Sequence, residues 1–207
     1  NEAGFDRARA VPQVDLVGSL YAYASDAFGR QNNGRGAAEF LQDQRRWVQR
    51  YRDAGLAIES ACVMTAFGCN LEGEIGEDRL AAVLGELATL LRDEGVSCPT
   101  VYLADTVGWA NPHSVRRRVD LVRRLLPGVR VGLHLHDTRG LGLANAFAAI
   151  EQGVDLFDAS VAGLGGCPFC GHAQGTAAGN VCTEDLVFLC HELGIATGID
   201  LERLVDA

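Results

Sequence analysis

Strand-like and helix-like segments alternate along this whole 207-residue chain, and that alternation limits it to a small set of architectures. Val14–Tyr23, Ala57–Ala66, Thr100–Ala104, Val129–Leu135 and Val154–Ala162 are short apolar runs of the kind that form strands. Gly36–Ala54, Gly76–Glu94, Pro112–Leu126, Leu141–Gln152 and Thr183–Leu193 follow them in turn as helices. Gly55, Gly95, Gly128, Gly153 and Gly194 fall where helices end and are expected to take left-handed caps. Asn111-Pro112 and Thr183-Glu184 read as helix starts. Repeated units of this length impose a parallel sheet with right-handed crossovers. A closed (β/α)8 barrel needs eight units and about 250 residues, whereas five parallel strands also suit an open doubly wound sheet. No G-x-G-x-x-G joins the first strand to its helix, so a dinucleotide fold has no support. With no linker or low-complexity tract, residues 1–207 read as a single domain.

The net charge of −9 excludes a nucleic-acid partner, which needs a basic face. No apolar run approaches the roughly 20 residues that span a bilayer, so no membrane partner is expected. No targeting segment is visible after Asn1, and the expected location is cytoplasmic, leaving open what lies upstream. Seven scattered cysteines read as reduced thiols rather than a disulfide framework. The basic residues are all arginine. A Schiff-base aldolase needs a lysine amine, so carbanion chemistry here would have to rely on a metal.

Chemistry gathers at strand ends. In Val131–Gly140, His134 and His136 alternate with Leu133 and Leu135 at the period of a strand, which points both imidazoles to one face. About 6–7 Å of backbone separates them, close enough to share one divalent ion. The alternative, less favoured, is a pair of polar residues on the solvated face of an edge strand. Asp137 and Thr138 read as a turn that orients the imidazoles. Asp105 ends the third strand and is either a site carboxylate or a turn cap.

The glycine-rich stretch from Gly163 to Asn180 resembles a lid that lets backbone approach a ligand. Cys167 stands at its start, as a functional thiol or as a small residue in a tight turn. Cys167 and Cys170, with His172, could form half a zinc site or a redox pair. Neither is favoured, because no second ligand pair stands at knuckle spacing and Gly171 and Gly175 prevent a helix from following. Glu184 and Asp185 suit the dipole at a helix start. Arg116, Arg117, Arg123 and Arg124 read as a solvated helix face.

The segments HLHDTRGLGLANAFAAIEQGVDLFDASVAGLGGCPF and AAGNVCTEDLVFLCHELGIATGIDL, with ADTVGWANP and FGCNLEG upstream, resemble the 3-hydroxy-3-methylglutaryl-CoA lyase family. That family belongs to the metal-dependent acyl-CoA lyases and Claisen-condensing synthases on a TIM barrel. The resemblance implies a (β/α)8 barrel of which about five units are present here, the first three being absent. It implies His134, His136 and Asn180 as ligands of Mg²⁺ or Mn²⁺, an ion suited to mixed nitrogen and oxygen donors. It further implies an acyl-CoA substrate cleaved by retro-Claisen chemistry to acetyl-CoA and a 3-oxo acid such as acetoacetate. In that reaction His134 takes the hydroxyl proton, Asp105 lies near the substrate, and Cys167 protonates the enolate. A homo-oligomer is compatible with it.

Two departures stand out. The family's Arg-Asp strand, whose Asp completes the metal shell, and its strand-borne Glu have no counterpart here. The interval from Cys167 to Asn180 is also a few residues longer than the family pattern, around Cys170-Gly171-His172. A metal-dependent aldolase, a condensing acyltransferase, and a non-catalytic remnant needing a partner are the alternatives.

Overall fold

The computed structural model describes residues 1–166 and 179–206. Five strands, β1 (Gly18–Tyr23), β2 (Ile58–Met64), β5 (Thr100–Ala104), β6 (Arg130–His134) and β7 (Leu156–Asp158), form one parallel sheet in that order. A short antiparallel hairpin, β3 (Gly68–Cys69) and β4 (Gly73–Glu74), interrupts the chain after β2. Helices α3 (Ala37–Asp53), α4 (Glu77–Glu94), α5 (Pro112–Leu125), α6 (Gly142–Ile150) and α7 (Thr183–Glu192) each pack on the next. Strands in sequence order with successive helices in contact describe a singly wound arc. The sheet is part of a (β/α)8 barrel and not a doubly wound layer.

Past β7 the parallel order continues by one step. Ser160 bridges Cys182 in parallel, its N–H donating to Val181 O at 3.0 Å while Thr183 N–H returns to Ser160 O at 2.9 Å. The segment leading into α7 therefore begins a sixth strand, which the sequence pattern does not reveal.

Alternation along each strand separates core from interior. Leu20, Ala22, Ala61, Val63, Val101, Leu103, Val131 and Leu133 are buried against the helices, where they meet Val48, Leu84, Leu87, Val119 and Ala149. The opposite, barrel-interior face carries Tyr21, Cys62, Tyr102 and Gly132 in one row of register partners. The next row toward the strand ends holds Tyr23 beside Met64, then Ala104, His134 and Asp158.

Ion pairs tie the helical layer together. Arg45 joins α3 to Asp93 and Glu94, Arg117 joins α5 to Glu77, and Arg116 joins α5 to Glu151. Of the α5 arginines expected on a solvated face, Arg117, Arg123 and Arg124 are exposed and Arg116 is half-buried, but Arg116 and Arg117 also bridge neighbouring helices, and Arg123 donates to Gln152 O at 2.7 Å; Arg118 of the same helix is buried. Each such exposed pair contributes about 0–1 kcal/mol.

All five expected glycine caps adopt positive φ, between 63° and 86°. Two helices escaped the sequence reading: α1 (Glu2–Arg9), capped by Asn1, and α2 (Asp26–Asn33), capped by Ser25 and closed by Gly34. A final short helix, α8 (Leu201–Val205), was also missed. Strand β1 begins at Gly18 rather than Val14, because Val14 and Val17 lie exposed. Among the described residues, no helix is long and apolar enough to cross a membrane.

Candidate active site

The C-terminal ends of β2, β5 and β6 open on a cavity of about 310 Å³ lined by Phe28, Asn32, Met64, Thr106, His134, His136, Gly166 and Asn180. His134 is the last residue of β6, and His136 lies just past it, 4% exposed. Their ring centroids are 5.1 Å apart at an interplanar angle of 76°. His136 Nδ1 lies 2.8 Å from the backbone carbonyl of Asp105. A carbonyl only accepts, so Nδ1 carries the hydrogen and Nε2 keeps the lone pair. Burial moves the His136 pKa down to about 4, with His134 adding to the effect and the bond to Asp105 opposing it. This imidazole is neutral at physiological pH, as a ligand must be.

Asn180 reaches the same cavity by pairing with the His136 segment. Asp137 N–H donates to Gly179 O at 2.8 Å and Val181 N–H to Leu135 O at 3.2 Å, forming an antiparallel bridge between His136 and Asn180. Gly179 packs tightly there: a Cβ would stand 3.2 Å from Gly165 O, close enough that a neighbour would have to shift, and 3.5 Å from the His136 ring. The Asn180 Nδ2 donates to Leu164 O at 2.8 Å, whereas its Oδ1 is buried without a hydrogen-bond partner. A buried amide oxygen costs about 1–3 kcal/mol when unpaired. An orphaned amide oxygen on a residue that lines the same cavity as two imidazoles fits the donor set of a divalent cation. Among the described residues no three His, Cys, Asp or Glu side chains converge, so an amide would be the third donor.

Asp105 is fully buried and turned into its own loop, where Oδ1 accepts from Trp109 N–H at 2.6 Å and Ala110 N–H at 2.9 Å. Its Oδ2 has no partner. Burial raises its pKa to about 6, against the pull of those two N–H groups, Arg139 and Arg118. It therefore reaches the site through its backbone, by holding His136. Arg139 clamps the same loop by donating to Val107 O and Gly108 O at 2.9 and 2.7 Å. Asp137 acts as a turn residue, its Oδ1 accepting from Gly142 N–H at 2.6 Å. Glu184 does more than face a helix dipole, since its carboxylate accepts from Ala162 N–H at 2.9 Å.

Cys167, Cys170 and His172 lie outside the described residues. Sequence reasoning passed over Asp158, whose Oδ2 lies 3.3 Å from His134 Nδ1. No local signal marked it, since the sequence places it within a strand running on to Ala162. Phe28, Asn32 and Met64 were also missed, because they come from an unforeseen helix and from the end of β2.

Fold and site together define an α/β-barrel chain with a pair of imidazoles at its mouth. The HMGL-like family model matches residues 5–207, and the chain belongs to that family. It is 38% identical over 207 residues to the (R)-citramalyl-CoA lyase of Chloroflexus aurantiacus, covering 100% of this chain and 61% of that protein. The HMG-CoA lyase structure from Brucella melitensis matches with a TM-score of 0.82 at 34% identity, over 99% of this chain and 68% of the other. An HMG-CoA lyase from A. baumannii, in complex with coenzyme A and 3-methylmalate, matches with a TM-score of 0.78 at 38% identity, over 91% and 58%. The chain spans about three fifths of the length of the curated relatives it matches.

Proposed function

We propose that this chain carries most of the active site of an acyl-CoA carbon–carbon lyase acting on a 3-hydroxyacyl thioester with a methyl branch at the hydroxyl-bearing carbon. The observation that carries the reading is the convergence of His134, His136 and Asn180 on one cavity at the strand ends, with the Asn180 Oδ1 left partnerless. His136 and Asn180 would hold the ion, and the one lone pair of His134 either joins them or serves as the base. When bound, Mg²⁺ or Mn²⁺ would supply a Lewis acid for the hydroxyl and carbonyl oxygens.

The residues of the chain account for the remaining steps. In the second case the imidazole of His134 takes the hydroxyl proton. The electron pair of that O–H bond forms the new carbonyl, the adjacent C–C bond breaks, and its electrons pass to the thioester enolate. Cys167 returns a proton to the enolate carbon, releasing acetyl-CoA. Asp105 fixes His136 through its carbonyl and shapes the loop beside it. Phe28 and Met64 give the cavity an apolar wall suited to the methyl branch.

The test is acetyl-CoA release by the intact protein from 3-hydroxy-3-methylglutaryl-CoA and from (R)-citramalyl-CoA, with Mg²⁺ or Mn²⁺. Acetoacetate as co-product identifies the first substrate, and pyruvate the second. Turnover of neither rejects the reading, and full activity in Cys167→Ala rejects the role given to that thiol.

A further inference from the structure

We propose that Asp158 is the positioning residue of His134, setting which of its ring nitrogens faces the cavity. The inference rests on the lyase reading for the use made of His134, but its geometry is independent of it.

Strand pairing places the two residues side by side, His134 opposite Asp158 in the parallel β6–β7 ladder. On that shared row the Asp158 carboxylate lies 3.3 Å from Nδ1 of the imidazole. A carboxylate beside Nδ1 stabilises the tautomer with the hydrogen on that nitrogen and leaves the lone pair on Nε2. The neighbouring ring obeys the same rule through a different group, since His136 Nδ1 lies 2.8 Å from the Asp105 carbonyl. Each imidazole thus has an acceptor beside Nδ1, a backbone carbonyl of β5's loop at hydrogen-bond distance for His136 and a side-chain carboxylate of β7 at 3.3 Å for His134.

The carboxylate faces the barrel interior. Its field reaches Cys62, whose thiol is pushed up to about 12 by burial first and by Asp158 second. No other residue at the mouth offers His134 an oppositely charged partner among the described contacts.

The experiment reads the ring directly. In metal-free, ¹⁵N-labelled intact protein, imidazole nitrogen shifts report the His134 tautomer, and a Mn²⁺ titration follows. The wild type is expected to show hydrogen on Nδ1. Asp158→Ala is expected to mix the tautomers and weaken Mn²⁺ binding by about 10–100-fold. Asp158→Asn, which keeps an acceptor at the same reach, is expected to restore a single tautomer and most of the affinity. A purely structural Asp158 would shift melting without this split between Ala and Asn. An Ala variant with unchanged tautomer and affinity overturns the proposal. If Asp158→Ala does not fold, Asp158→Glu, whose longer arm moves the carboxylate off Nδ1, replaces it with the same expectation. A wild type that binds no Mn²⁺ sinks the metal reading, and the tautomer measurement alone then decides on Asp158.

Discussion

His136 donates its Nδ1 hydrogen to the backbone carbonyl of Asp105 across 2.8 Å, joining two buried ionisable residues whose protonation preferences oppose each other. Burial holds Asp105 protonated up to about pH 6 and holds His136 neutral down to about pH 4. Each group on its own would make stability depend on pH, and the two dependences run in opposite directions.

For Asp105 the folded-state pKa is raised, so its favourable contribution is complete below about pH 4 and is lost as pH rises to about 6. For His136 the folded-state pKa is lowered, so its contribution is complete above about pH 6.5 and is lost as pH falls toward 4. Each amounts to about 3 kcal/mol across its window, so in metal-free wild type they nearly cancel between pH 4 and 6. Asp105→Asn keeps the acceptor for Trp109 and Ala110 but removes one slope. It should lose stability relative to wild type on acidification through that window. His136→Gln should gain. Urea denaturation at half-unit steps checks this, and parallel curves for all three proteins would refute the coupling.

One nitrogen of His134 cannot serve two purposes at once. A neutral imidazole has a single lone pair, and that lone pair either grips the ion or accepts the hydroxyl proton. Mn²⁺ titration of His134→Ala separates the two duties. We expect affinity to fall by at least tenfold, as for His136→Ala and Asn180→Ala. Retained affinity with abolished turnover would assign His134 to proton transfer alone.

The alternation of strands and helices was legible because apolar spacing is a local property. The imidazole pair was legible because a two-residue period places both rings on one face. Asp158 was not, since nothing local reveals that β7 lies beside β6 in register with His134; that is a property of the ladder. Asp105 looked like a site carboxylate by position, yet Trp109 and Ala110 place their N–H groups where its side chain caps the loop. The long fifth strand predicted over Val154–Ala162 stops at Asp158, because Ala162 takes φ 54° and Ser160 turns to pair with Cys182.

Gly142 opens α6 where a Cβ would stand 2.7 Å from Val181 Cγ2 and 2.8 Å from Asp137 Oδ1. Helix propensity alone would favour alanine there by about 1 kcal/mol. Overpacking opposes it with about 1–3 kcal/mol, and the crowded Val181 is the neighbour of Asn180. Gly142→Ala should therefore lower the melting temperature and weaken Mn²⁺ binding together. A higher melting temperature with unchanged binding would show that the contact is not tight in solution.

Arg118 is a cation 1% exposed, with its guanidinium 4.9 Å from the centre of the Phe67 ring. It donates to Ile75 O, and Glu74 approaches only to 3.9 Å, while Nε and Nη1 lack partners. Replacing a poorly paired buried charge by an apolar side chain of similar length is often neutral or stabilising. Arg118 also favours the ionised form of Asp105, so its removal should raise the pKa of that carboxyl further. A raised carboxyl pKa costs stability above it and nothing below the unfolded value. Arg118→Met should therefore match wild type near pH 4 and be destabilised at pH 8, the difference opening from about pH 6 upward. Paired urea denaturation curves at the two pH values measure it. A deficit of the same size at both would mean that Arg118 acts through packing on Phe67 and not through Asp105.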